Sequence, residues 1–142
     1  MLKVQGITHW SIPVNDLAES ERFYSDVLGM EFRGRLGNSN MSCVSVGGHE
    51  ILLCQRGAPI TQTADQAVTH HSFTVTPEGF EDGCRLLKRL QVPVDELVYR
   101  GQGFFTGREL YFRDPSGNRL ELRDPTWQPG MPTPAYEDIA AP

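Results

Sequence analysis

The sequence predicts an α+β domain built from two βαβββ modules. Three observations carry that reading: a strand-like motif around His9 recurs around His70, a cappable helix follows each copy, and a Gly-containing turn leads into the last strand of each half. At 142 residues the chain is long enough for one ordinary domain with a real core.

"ITHWSIPV" (7–14) alternates, with Ile7, His9, Ser11 and Pro13 on one face and Thr8, Trp10, Ile12 and Val14 on the other, mostly apolar one. In "NDLAESERFYSDVLGM" (15–30) the period changes. Asn15 or Asp16 is a cap, Leu17, Tyr24, Val27 and Leu28 recur at helical spacing, and Gly29 suits the stop. "EFRGRLG" and "MSCVSV" lean towards strand, and Gly47-Gly48 turns the chain into "HEILLCQ". This completes a first module over 6–56.

Residues 57–67, "GAPITQTADQA", are polar and bear Gly and Pro, as a linker does. The second module, 68–124, opens with the strand "VTHHSFTV". Thr76 then caps a helix with Pro77 at its first position and Phe80, Cys84 and Leu87 along one side. "VDELVYR" and "RELYFR" follow as strands, and "DPSG" turns the chain into "NRLELR". The tail, 125–142, holds too many prolines for a helix and is expected to lie over the surface or the mouth of the site.

Composition narrows the function. Hydrophobic residues make up 39% and charged residues 22%, which excludes both disorder and a membrane-spanning character. The formal charge is −5 and the 13 Lys and Arg form no dense cluster, so nucleic acid is not an expected partner and a small-molecule substrate is. Cys43, Cys54 and Cys84 are odd in number and show no CxxC spacing, so they read as reduced thiols. The opening residues lack a basic leader and an apolar signal core, and the expected location is cytoplasmic.

Aligning "THWSIPV" with "THHSFTV" matches Thr8, His9, Ser11 and Val14 to Thr69, His70, Ser72 and Val75. Strand parity then groups His70 with Ser72 and Thr74 on the face equivalent to that of His9. It sends His71, the counterpart of Trp10, to the helix-packed side. His70 is therefore the candidate for chemistry and His71 a packing residue. Glu121, between Leu120 and Leu122, is the carboxylate that would join such histidines; on residue pattern alone, pairing with Arg119 or Arg123 explains it equally well.

"HWSIPVNDLAESERFYSDVLGM", "THHSFTV" and "YFRDPSGNRLEL" together resemble the vicinal oxygen chelate superfamily, which includes glyoxalase I, extradiol dioxygenases, fosfomycin-resistance enzymes and bleomycin-binding proteins. The resemblance covers about residues 6–124. It implies a glyoxalase/dioxygenase-like fold, two βαβββ modules forming a U-shaped eight-stranded sheet around a divalent metal, with His9, His70 and Glu121 as ligands. Two imidazoles and a carboxylate leave coordination positions open for substrate oxygens, and Fe²⁺, Mn²⁺, Zn²⁺ and Ni²⁺ all suit the set.

Glyoxalase I-like members add a fourth ligand from the last strand of the first module. Leu52 falls there when the turns are aligned, and Glu50 falls there if the register slips by two. With Leu52, the open site points first to a dioxygenase-like enzyme, with Tyr111 implied as the catalytic residue facing the metal. A glyoxalase I-like lyase and a fosfomycin-type thiol transferase are the alternatives. The latter type carries an Arg nine residues past its carboxylate ligand where this chain has Gly130, although Arg108 or Arg119 could substitute. A metal-free, bleomycin-type sequestering protein is the alternative of another class, and it would lack the ligand trio. The resemblance also implies a homodimer, in which His9 of one copy could complete the site of the other.

Overall fold

A computed structural model describes residues 1–57 and 68–142. The expected linker, apart from Gly57, lies outside the described residues. The chain divides into two units, Met1–Thr61 with Pro115–Asn118 and Gln62–Asp114 with Arg119–Pro142.

In the first unit β1 (His9–Val14) leads into α1 (Leu17–Arg22), and β2 (Glu31–Arg35), β3 (Met41–Val46) and β4 (His49–Gln55) follow. Asp16 is the cap: its carboxylate accepts the Glu19 backbone N–H at 2.7 Å. The helix does not continue as α-helix to Gly29. It widens into a π-helical turn over Phe23–Val27, which buries Phe23 and Tyr24 side by side, and Gly29, at φ +71°, ends it. Gly47 and Gly48, at φ +56° and +78°, form a two-residue hairpin whose twist needs positive φ at both positions. The sheet order is β1-β4-β3-β2, with β1 parallel to β4. Ile12, Val14, Val44, Ile51 and Leu53 supply its core. Trp10, which strand parity places with them, is 53% exposed near the start of β1. The turn Pro115–Asn118 belongs to this unit: Ser116 Oγ accepts the Asn15 N–H at 2.8 Å, and Asn118 Nδ2 donates to the Pro13 carbonyl at 2.8 Å.

The second unit repeats the plan with β5 (His70–Thr74), α2 (Pro77–Arg89), β6 (Val94–Arg100), β7 (Gly107–Arg113) and β8 (Arg119–Asp124), in the order β5-β8-β7-β6. Thr76 Oγ1 accepts the Gly79 N–H at 3.1 Å, and Phe80, Cys84 and Leu87 are the buried stripe of α2. On the helix-facing side of β7, Leu110 and Phe112 are fully buried, and the Arg108 guanidinium lies 4.6 Å from the Phe80 ring centroid while donating to Asp124 at 2.8 Å. Gly107, at φ +141°, lies so close to the backbone of Asp124 that a Cβ would collide with it.

The tail is more ordered than its proline content predicts. Tyr99 Oη donates to the Pro134 carbonyl at 2.6 Å, Trp127 Nε1 to that of Pro132 at 3.0 Å, and Tyr136 Oη to that of Cys84 at 3.3 Å. A single helical turn, α3 (Tyr136–Ile139), forms in the proline-free stretch and buries Ile139. Among the described residues no helix is long and apolar enough to cross a membrane.

The two sheets share a register. Ser11 stands opposite Leu52 and Cys43 opposite Leu52 in the first; Ser72 stands opposite Glu121 and Tyr111 opposite Glu121 in the second. Leu52, not Glu50, is thus the positional equivalent of Glu121. Glu50 instead accepts the Cys43 thiol at 3.0 Å.

Candidate functional site

β5 and β8 are adjacent parallel strands, so the alternate residues His70, Ser72 and Thr74 share a face with Arg119, Glu121 and Arg123. β7 adds Glu109 and Tyr111 to that face through its antiparallel pairing with β8. Apart from Arg119, these side chains, with Arg100 and the loop after β6, line a cleft of about 600 Å³.

At its base His70 Nε2 lies 3.3 Å from Glu121 Oε2. The other ring nitrogen, Nδ1, is 3.0 Å from the Val68 carbonyl, a pure acceptor, so Nδ1 carries the proton. In the neutral ring Nε2 then turns a lone pair towards a carboxylate oxygen. Two lone-pair donors at that distance repel unless a cation lies between them, either a proton or a metal ion. Donor atoms about 2.1 Å from a common ion at tetrahedral to octahedral angles stand about 3.0–3.4 Å apart, which matches the observed separation. A backbone carbonyl on the remote nitrogen is also the usual way a ligating imidazole is fixed. The residues of this unit therefore fit a divalent ion as two of its ligands. His9 occupies the equivalent strand position in the first unit, opposite Glu50. Within neither unit, among the described residues, do three His, Cys, Asp or Glu side chains gather as a metal site.

Tyr111 lies beside this pair, its ring centroid 5.6 Å from that of His70 in an edge-on arrangement. The Arg119 guanidinium covers the Tyr111 ring at 4.0 Å and is itself held by Asp95 at 3.2 Å and Glu96 at 2.7 Å. The phenol donates to Glu109 Oε2 at 3.1 Å. Burial, then the charges of Glu121 and Glu109, push the Tyr111 phenol up to about 12, so it stays protonated. Glu109 is 2% exposed, and a forked Arg100 guanidinium neutralises it with Nε on Oε1 and Nη2 on Oε2, both at 3.0 Å.

His71 is half-buried on the other face of β5. Burial first, and the neighbouring His70 second, lower its pKa, as befits a packing histidine. Arg108 and Arg119, the possible stand-ins for a phosphonate-binding arginine, are otherwise engaged: Arg108 on Asp124 and the Pro77 carbonyl, Arg119 on Asp95 and Glu96. Sequence reasoning assigned no role to Glu109 or Arg100 and named Arg123 only as a possible ion partner of Glu121; all three line the cleft. The signal available for Glu109 is strand parity: it lies two residues before Tyr111 in "RELYFR" and so shares its face.

Comparison with known proteins agrees with this architecture. Metallothiol transferase FosB of Staphylococcus haemolyticus is 28% identical over 119 residues, 84% of this chain and 83% of that protein. Glutathione transferase FosA of Serratia marcescens is 28% identical over 120 residues, 84% of this chain and 80% of its own length. The fosfomycin resistance protein FosX of Listeria monocytogenes, solved with Mn(II) and 1S,2S-dihydroxypropylphosphonic acid, shares the fold with a TM-score of 0.71 at 20% identity, covering 86% of this chain and 93% of that one. The family model of the Glyoxalase/Bleomycin resistance protein/Dioxygenase superfamily matches residues 6–122, and the chain belongs to that superfamily.

Proposed function

We propose that the chain is a divalent-metal-dependent enzyme that adds a thiol to a small epoxide offering adjacent oxygens to the metal: sulfur bonds to a ring carbon, the ring C–O bond breaks, and the thiol proton ends on the released oxygen. His70 and Glu121 serve as ligands, with His9 the third, supplied by the same chain or by a second copy in a homodimer. The observation that carries this reading is His70 Nε2 turned onto Glu121 at 3.3 Å while Nδ1 is held by a carbonyl. A bound divalent ion would polarise a chelating substrate oxygen as a Lewis acid.

The chain's own side chains do the rest. Tyr111 commits its proton to Glu109, so its oxygen presents lone pairs to the cleft and accepts a hydrogen bond from an incoming S–H or O–H. Arg100 holds Glu109 in place through its forked hydrogen bonds, and Arg119 fixes the plane of the Tyr111 ring. Leu52 offers no donor where a fourth protein ligand would stand, which leaves a coordination position to the substrate.

Thiol transfer is favoured by the names of the relatives matched over most of the chain, FosB and FosA. The dioxygenase-like reaction, to which the sequence points first, has less support. Ring cleavage often leans on a further active-site histidine, and His70 is the sole histidine among the described residues lining the cleft.

The test is loss of free thiol when the purified protein is incubated with glutathione or another low-molecular-weight thiol and fosfomycin, in parallel with O₂ uptake on catechols. The expected result is metal-dependent thiol consumption that is abolished by a chelator and by Glu121→Gln. Oxygen uptake on a catechol would restore the dioxygenase reading, and tight ligand binding without metal would favour sequestration. Mixing His9→Ala with Glu121→Gln tests the origin of His9. Activity returns only if His9 of one copy serves the other, because such a dimer then has one site with neither substitution.

A further inference from the structure

Arg123 is the guanidinium of the cleft that has a buried donor without a partner among the described residues. It follows Glu121 by two positions in β8 and so shares the cleft face, opposite Thr74 of β5. One terminal nitrogen donates to the Thr106 carbonyl, and the guanidinium carbon lies 5.7 Å from the Phe105 ring centroid. Those two contacts fix its plane. Its Nε is buried and has no hydrogen-bond partner among the described residues.

A buried N–H of a charged group left without an acceptor carries an uncompensated desolvation cost, and so it marks a place where an acceptor is missing. The other charges of the cleft are accounted for. Arg100 neutralises Glu109, and Glu121 faces the cation position beside His70. What remains is one positive charge with an open donor, next to two strand positions, Ser72 and Thr74, whose hydroxyl-bearing side chains also line the cleft. Glycines flank the loop that brings Phe105 to this edge, and Phe104 and Phe105 are 101% and 70% exposed there.

We propose that Arg123, with Ser72 and Thr74, forms a subsite for an oxyanion, a carboxylate or phosphonate group of the molecule that occupies the cleft. This deepens the metal-enzyme reading and rests on it for the identity of the neighbouring site. Residues two apart along a strand are separated by about 6.8 Å, so a compact ligand reaches both: chelating oxygens at the His70–Glu121 end, and a negative group about two or three bonds away on Arg123. Phe105 covers the outer side of that group and sheds water from it. The anion belongs either to the substrate or to the thiol co-substrate, and both present the same oxyanion chemistry to a guanidinium fork.

The experiment is a titration of the full-length protein at low ionic strength with inorganic phosphate, acetate and glutathione, followed by the Nε–H signals of arginine in ¹H–¹⁵N spectra. The Arg123 signal is identified by its absence from Arg123→Lys. The expected result is a saturable shift of that signal with at least one anion. Affinity should weaken about tenfold or more in Arg123→Gln and partly recover in Arg123→Lys, as expected for loss of a charge-assisted hydrogen bond. A response to phosphate points to the substrate's anion, and a response to glutathione alone points to the co-substrate's. Mn²⁺ titration of the same samples separates the two readings. Unchanged Mn²⁺ affinity with lost anion affinity supports the subsite, whereas anion binding on Arg123 in a protein that takes up no Mn²⁺ keeps the subsite and removes the metal enzyme. No shift with any of the three anions, or equal affinity in Arg123→Gln with a native circular dichroism spectrum, overturns the proposal.

Discussion

Ser11 opposite Leu52 in the first unit and Ser72 opposite Glu121 in the second hold the same place in two sheets of the same strand order. Around that place the chemistry diverges. In the second unit Tyr111 stands opposite Glu121, with Glu109 two residues before it, whereas the first unit has Cys43 and Met41 at those positions. The Cys43 thiol is pushed up to about 11 by burial and by the Glu50 carboxylate it donates to, so it is a neutral hydrogen-bonding group there. The helix-facing sides differ as well. The first unit buries Ile12, Val14, Val44 and Leu53, while the second buries the Arg108–Asp124 pair among Phe80, Leu110 and Phe112. One backbone plan therefore tolerates a largely apolar filling with or without a buried ion pair. Position on the strand defines where a functional group can stand, and the residue placed there decides whether it does.

That contrast is broken most severely at the buried ion pair. Arg108→Leu leaves Asp124 buried without its guanidinium, and the expected loss is about 3–5 kcal/mol in chemical denaturation. In the first unit the corresponding damage is a cavity: Leu53→Ala, at a fully buried position, should cost about 2–5 kcal/mol. A small effect of Arg108→Leu beside a large one of Leu53→Ala would mean that the ion pair is replaceable filling.

Leu52→Glu sharpens the comparison from the other side, by giving the first sheet the carboxylate that the second has. With His9 as a ligand, the added donor should tighten Mn²⁺ binding about tenfold while lowering thiol transfer, since it fills a position the substrate needs. Isothermal titration beside a turnover assay reads both effects. His71→Ala should leave Mn²⁺ affinity unchanged, because His71 lies on the opposite face from Glu121.

The smallest effect is on the acid limb of stability. Burial acts to raise the Asp124 carboxyl, but hydrogen bonds from Thr126 and Arg108 outweigh it and hold the group below its ordinary value of 3.8. A carboxyl depressed on folding contributes stability above its unfolded value and loses it as pH falls through the folded one. Denaturation midpoints measured down to pH 2 should therefore decline below about pH 4, and more shallowly in Arg108→Leu.

The local elements were legible because short-range chemistry writes them: Gly47-Gly48 for the hairpin, Asp16 and Thr76 for the caps, and the Phe80, Cys84, Leu87 stripe for α2. Parity was enough to prefer His70 over His71 and to put Tyr111 with Glu109. What escaped the sequence depends on contacts between distant segments. The π-helical turn reflects how Phe23 and Tyr24 seat in the core, and the order of the tail comes from carbonyls that Tyr99 and Tyr136 reach across space. Arg100 meets Glu109 only through the β6–β7 register, and Arg123 owes its fixed plane to Thr106 and Phe105 in a Gly-rich loop with no readable period.

The central claim is that the His70–Glu121 pair holds a divalent ion, and Mn²⁺ titration followed by electron paramagnetic resonance tests it most directly. One ion per chain, bound by the wild type and weakened by about two orders of magnitude or more in both His70→Ala and Glu121→Gln, is the predicted result. Mn²⁺ affinity unchanged in folded samples of those two variants would contradict it.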